Sequence, residues 1–221
     1  MIALEIVTDE IPALKLTDTA DRAAALFDQH NMTHLPVVNE HDICSGILSE
    51  SDVYGIESFA DTLSKHKKLI IPLMAEETEH VFQVITKMTN ANTTCLPVVN
   101  DKNRYCGTVT INKLMQIIGD TALIRDEGGV IELEMNIVDY SLSEIARIVE
   151  SNNAKILGSY IRNHDDSKKI HVTLKINKTD LTAVIKTFER YEYDISASFH
   201  QSENEDALQD RFNNLMNYLN L

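Results

Sequence analysis

Residues 33–56, THLPVVNEHDICSGILSESDVYGI, recur 61 residues later as residues 94–117, TCLPVVNDKNRYCGTVTINKLMQI, with no gap in the alignment. Eight of the 24 aligned positions are identical, among them Leu35/Leu96, Pro36/Pro97, Val37/Val98, Val38/Val99, Asn39/Asn100 and Gly46/Gly107. A duplication of this kind obliges the chain to build one unit twice. The pattern of the unit is a short apolar strand (LPVV), a polar turn, a second strand entered through a glycine (GILS, GTVT) and a helix start. Upstream of each copy, Ala20, Ala23, Ala24 and Phe27 in the first and Val81, Val84, Ile85 and Met88 in the second share one helix face by their i, i+3, i+4, i+7 spacing. Each repeat is therefore expected to be a helix-strand-strand-helix unit.

A chain of 221 residues with 43% hydrophobic content can bury two separate cores. Its 34 acidic residues against 20 basic give a formal charge of −14, which repels phosphate backbones and anionic lipid and argues against nucleic acid as a partner. No stretch approaches a membrane span, and the start, MIALEIVTDEIP, lacks the basic opening and long apolar run of a secretory signal. Cys44, Cys95 and Cys106 are odd in number and lack C-x-x-C spacing, so neither a disulfide framework nor a zinc site is indicated. A reducing, cytoplasmic location is expected, with no metal and no resident cofactor.

Residues 1–18 read as a lead-in, extended at Ile11-Pro12 because proline disfavours helix in the residue before it, and expected to form an edge of the first repeat. Residues 57–68 end in the basic cluster Lys65-His66-Lys67-Lys68, read as solvated, and residues 69–74 take the lead-in role for the second copy. The charged, glycine-paired stretch Arg125-Asp126-Glu127-Gly128-Gly129 is the best domain break. The expected domains are 1–122 (repeats about 1–61 and 62–122), a linker over 123–129, a second domain over 130–200 and a tail over 201–221.

In the second domain Ile131, Leu133, Met135 and Ile137 alternate with Glu132, Glu134 and Asn136, which predicts a strand with one wet face. Ser141 to Glu144 is a capping box opening a helix that buries Leu142, Ile145, Ile148 and Val149. A strand over 156–161, a turn at 163–166, a strand with Ile170, Val172, Leu174 and Ile176 inward, a helix with Leu181, Val184, Ile185 and Phe188 on one face, and a strand with Tyr193, Ile195, Ala197 and Phe199 inward complete the order βαββαβ. That order predicts a ferredoxin-like α+β sandwich with both helices on one face. The tail places Leu208, Phe212, Leu215, Met216 and Leu219 at helical spacing, an amphipathic helix that must dock on its own domain or on a second subunit.

The duplicated hLPVV-N-x(6)-G-h-h-[ST]-x-x-[DN] unit resembles a tandem pair of CBS domains, the pseudo-twofold arrangement called a Bateman module, over residues 1–122. The remainder resembles an ACT domain, and the combined order is similar to that of acetoin-utilisation-type CBS-ACT regulatory proteins. The resemblance implies a non-enzymatic sensor whose ligand is an adenine nucleotide or S-adenosylmethionine, held between the repeats of a homodimer. By carry-over, Asp52 accepts from the ribose hydroxyls, Ser49 stands at the phosphate, and Ile11, Pro12, His34, Leu35 and Pro36 line the adenine slot. The same positions of the second copy, Cys95, Pro97, Thr110 and Lys113, define a weaker site in which a cation replaces the carboxylate.

Other readings stay open. Ser49-Glu-Ser-Asp52 also fits an ordinary capping box. His34 and Cys95, equivalent in the two copies, would make a Cys-His dyad if they met in a cleft. An interaction module with relic ligand sites is a further alternative, as is an amino-acid sensor acting through the ACT-like domain. Against the last, the loop Val138-Asp139-Tyr140-Ser141 has no glycine to let an effector approach the backbone, so dimerisation is the expected role of that domain.

Overall fold

The computed structural model describes residues 1–163 and 168–200. Two compact units are present, Met1–Ile118 and Gly119–Leu221. The first repeat consists of β1 (Leu14–Lys15), α1 (Ala20–His30), β2 (His34–Val38), β3 (Cys44–Ser49) and α2 (Glu50–Tyr54). The second consists of β4 (Ala75–Glu76), α3 (Val81–Asn90), β5 (Cys95–Val99), β6 (Tyr105–Thr110) and α4 (Ile111–Gly119). Each forms a three-stranded sheet in which a short parallel strand precedes an antiparallel hairpin, β1-β2-β3 and β4-β5-β6.

The identical positions of the duplication have physical reasons. Asn39 Oδ1 accepts from the backbone N–H groups of His41 and Ile43, and Asn100 Oδ1 accepts from those of Lys102 and Arg104. These side chains build the two hairpin turns in place of backbone carbonyls, with Asp42 and Asn103 following in the left-handed region at φ 59°. Gly46 and Gly107 have φ of +126° and +139°. A Cβ on Gly46 would stand 2.0 Å from the Ile71 carbonyl oxygen, and one on Gly107 would stand 2.8 Å from Val7 Cβ.

Those two contacts expose an exchange of lead-in segments that departs from expectation. Only Leu14–Lys15, paired with Val37 and Val38, forms an edge of the first repeat. The 3-10 turn Ala3–Ile6 packs into the second repeat, where Ala3 and Ile6 join Val84, Leu96 and Val109 in one core. Thr8 N–H then donates to the Thr108 carbonyl at 2.8 Å. In return, Leu69 and Ile70 pack on the first repeat's core, and Ile71 exchanges backbone hydrogen bonds of 2.9 Å with Ile47. Each repeat is closed by the segment that precedes the other. Both backbones have unpaired edge groups on β3 and β6, and exchange satisfies them.

The second unit contains α5 (Ala122–Arg125), β7 (Gly129–Asn136), α6 (Leu142–Ser151), β8 (Ile156–Asn163), β9 (Lys169–Ile176), α7 (Thr182–Arg190) and β10 (Asp194–Phe199). The strand order β10-β7-β9-β8, antiparallel throughout, is the ferredoxin-like arrangement. Ile131, Leu133, Val172 and Leu174 from the sheet meet Ile145, Ile148, Val149, Val184 and Phe188 from both helices in one core. Where a linker was expected, α5 occupies 122–125 and Leu123 lies against Gly158 of β8. Ile137 leaves the strand pattern for a 3-10 turn over Ile137–Asp139 and is 56% exposed, and Leu142, at the first turn of α6, is also exposed. In β10 a bulge between Ile195 and Ala197 shifts the alternation, so Phe199 faces water instead of the core. Part of the 163–166 turn and the helix expected over 201–221 lie outside the described residues.

The exchanged lead-in is testable by truncating one side chain. Ile6→Ala should cost about 2–5 kcal/mol in urea unfolding, and amide exchange should accelerate in α3 and β5 of the second repeat while α1 is little changed.

Candidate functional site

The backbone bonds that position the two motif helices are the same in both repeats. Glu50 N–H, at the start of α2, donates to the Thr33 carbonyl at 3.0 Å, and Ile111 N–H, at the start of α4, donates to the Thr94 carbonyl at 3.0 Å. Thr33 and Thr94 hydroxyls hydrogen-bond each other at 3.1 Å, which places these equivalent residues at the junction of the repeats. Sequence reasoning missed this pair, although the identity of Thr33 and Thr94 at the head of each copy was its signal.

At the first motif, Ser49 caps α2 by accepting from the Asp52 N–H at 3.1 Å, and its hydroxyl donates to Asp52 Oδ2 at 2.5 Å. One carboxylate oxygen of Asp52 is thereby held by the cap, and the carboxylate lies along the wall of a cleft. His34 stands opposite Ser49 across the β2/β3 ladder, and its hydroxyl neighbour Thr33 bonds its Nδ1 at 3.1 Å. Burial pushes His34 below its ordinary pKa, and the nearby Asp52 carboxylate partly offsets this.

The cleft beside Asp52 encloses about 430 Å³ and is lined by Ser51, Asp52, Gly55, Ile56, Glu57, Ser58, Asp61, His66 and Leu69. That volume suits a small-molecule ligand. Asp52 alone of the residues expected for the first site lines it. Ile11 is half-buried on the same core as Leu69 and Phe59, Pro12 is half-buried, and Leu35 and Pro36 are buried in β2. Asp61 and His66 were missed because the 57–68 segment reads as a solvated connector, and Leu69 because residues 69–74 read as the lead-in of the second copy. His66 in fact turns inward, its Nε2 3.6 Å from Asp61 Oδ2.

The second motif differs. Thr110, 8% exposed, caps α4 by accepting from the Lys113 N–H at 3.2 Å, and Pro97 is buried in β5. Cys95 is fully buried, its thiol pushed up to about 12 by that burial, and it donates to the His34 carbonyl at 3.2 Å. A thiol so placed cannot serve as the nucleophile of a Cys-His dyad, since it faces the backbone of His34 and stays protonated at neutral pH.

The pattern that defines the CBS domain matches residues 2–56 and 70–120. L-Aspartate semialdehyde sulfurtransferase of Methanocaldococcus jannaschii is 35% identical over 103 residues, which are 44% of this chain and 19% of that protein. Homoserine O-acetyltransferase of Methanobrevibacter ruminantium is 26% identical over 120 residues, 52% of this chain and 23% of that protein. The matches thus span a quarter or less of these relatives' length. Among solved structures, a CBS domain pair/ACT domain protein from Thermotoga maritima is similar with a TM-score of 0.49 at 16% identity, covering 53% of this chain and 96% of that one. A CBS domain pair in complex with 5′-methylthioadenosine and S-adenosyl-L-methionine is similar with a TM-score of 0.44 at 27% identity, covering 54% and 96%. No helix among the described residues is long and apolar enough to cross a membrane.

His34 makes the site's region sensitive to acid. The folded chain keeps His34 neutral to lower pH than the unfolded chain does, so the stability tied to it is present above the ordinary value of 6.5 and lost as pH falls below it. Lowering pH from about 7.5 to about 5.5 should therefore reduce the urea midpoint more in the wild type than in His34→Gln.

Proposed function

Residues 2–56 and 70–120 are a tandem CBS domain pair, and from that premise we propose that the chain is a regulatory protein without catalysis of its own, whose first repeat takes an adenosyl ligand. The observation that carries this reading is the asymmetry of the two motifs: Asp52 lines a cleft of ligand size, whereas the equivalent position in the second repeat is Lys113. A carboxylate can accept from both vicinal hydroxyls of a ribose, and an ammonium cannot accept at all. In this reading Asp52 is the ribose acceptor, Ile56 and Leu69 are the apolar lining for the base, and Ser49 supports Asp52 from behind, while Ile11, Pro12 and the β2 segment from His34 to Pro36 lie outside the lining of this cleft.

The second unit is proposed as an ACT-like domain that dimerises the protein or passes on its signal. A cleft of about 440 Å³ in it is lined by Glu134, Asp139, Glu144, Glu192 and Asp194 against the single ammonium of Lys169, a poor reception for the α-carboxylate of an amino acid. With no glycine in the 138–141 loop, this charge argues against effector binding, which leaves dimerisation as the role proposed for the unit. A second reading, an interaction module with a relic site, draws on the Ser49 hydroxyl accepting from the Asp52 N–H, which a plain helix cap would also contain.

Titration calorimetry with adenosine, S-adenosylmethionine, AMP, ADP and ATP separates the two. Asp52→Ala should weaken whichever ligand binds by roughly tenfold or more, the loss of charged-group hydrogen bonds worth about 1.5–3 kcal/mol, while Lys113→Ala leaves affinity nearly intact. Equal affinities for wild type and Asp52→Ala would remove the site assignment, and silence toward the whole panel would favour the relic. Sedimentation over a concentration series should return the mass of a dimer, and a monomer at every concentration would remove the dimeric part of the proposal.

A further inference from the structure

The Asp52 cleft carries more negative charge than a ribose requires. Asp52, Glu57 and Asp61 contribute three carboxylates to its lining, and His66 is the lining residue among those described that can carry positive charge. Asp61 stays ionised: the Lys65 ammonium, 2.6 Å away, holds its carboxyl below the usual carboxylate range. Lys65 is itself turned to water, its side chain 64% exposed, and its ammonium offsets part of the Asp61 charge, so Asp52 and Glu57 carry most of the uncompensated charge of the lining. Ile56 and Leu69 supply apolar surface for a base.

An adenosyl group with an uncharged or cationic substituent meets this lining without penalty. A terminal phosphate would bring roughly two negative charges against the carboxylates, with no arginine in the lining to receive them. We propose that Glu57 and Asp61 determine specificity at the Asp52 site: they admit a phosphate-free adenosyl compound, a nucleoside or its thioether or sulfonium, and turn away nucleoside di- and triphosphates. The inference rests on Asp52 as the ribose acceptor.

The test is calorimetry on the full chain in magnesium-free buffer with adenosine, S-adenosylmethionine and ADP. In the wild type, adenosine or S-adenosylmethionine should bind roughly tenfold tighter than ADP, a difference of about 1.4 kcal/mol. Glu57→Gln combined with Asp61→Asn should close most of that gap, strengthening ADP binding relative to adenosine binding. Carboxylates with a purely structural role would instead weaken every ligand together when replaced, and that result overturns the proposal. Because Asp61→Asn also disturbs the contacts to Lys65 and His66, Glu57→Lys serves as the second variant: Glu57 is exposed, and the reversal should raise ADP affinity alone. Wild-type ADP binding as tight as adenosine, with both lost in Asp52→Ala, would overturn the selectivity while the ribose site stands. Binding of none of the three would overturn the site and the selectivity together.

Discussion

The first unit depends on backbone pairing between segments that sit on either side of a repeat boundary. Ile71 pairs with Ile47 and Thr8 with Thr108, so neither repeat completes its own sheet surroundings. The consequence is cooperative: removing the start of the chain opens the core of the second repeat at Ala3 and Ile6, not the first. Gly46 and Gly107 make this pairing possible, because a side chain at either would collide with the incoming segment. The exchange also draws residues 57–71 across the first repeat and so builds the outer wall of the Asp52 cleft from Asp61, His66 and Leu69.

At the junction the duplicated frame is symmetric in its backbone and asymmetric in its side chains. The Thr33 and Thr94 carbonyls anchor the two motif helices by the same bond, and their hydroxyls touch. Around them the equivalents diverge: His34 against Cys95, Ser49 against Thr110, Asp52 against Lys113. Symmetric bonds hold the two motif helices in the same way, while of the two equivalent side chains only the Asp52 carboxylate can accept from vicinal hydroxyls. The bonds to the motif helices stay within each repeat, Glu50 to Thr33 and Ile111 to Thr94, and the Thr33–Thr94 hydroxyl bond joins the two halves. A ligand that favours one arrangement of the first helix therefore has a physical route to the second repeat.

The repeat, the hairpin turns, the α1 stripe and the βαββαβ order were legible in the residues, because each follows from local rules: alternation, helical periodicity, the Asn side chains of the turns and the glycines of the strands. Ile137 and Phe199 misled that reading. Both continue an apolar pattern, yet a 3-10 turn and a bulge carry them to the surface.

By itself the sequence determined that the chain duplicates one unit, that Asp52 is the only carboxylate at its motif position in either copy, and that a ferredoxin-like unit follows. Each of these is a matter of residue type at a spacing. Tertiary structure alone decided which lead-in closes which repeat, that Cys95 faces the His34 carbonyl, and that Asp61 and His66 turn from a charged connector into the wall of a cleft. Those outcomes depend on contacts between residues far apart in the chain, where backbone pairing at an edge and burial override the local pattern that reads a polar stretch as solvent-facing.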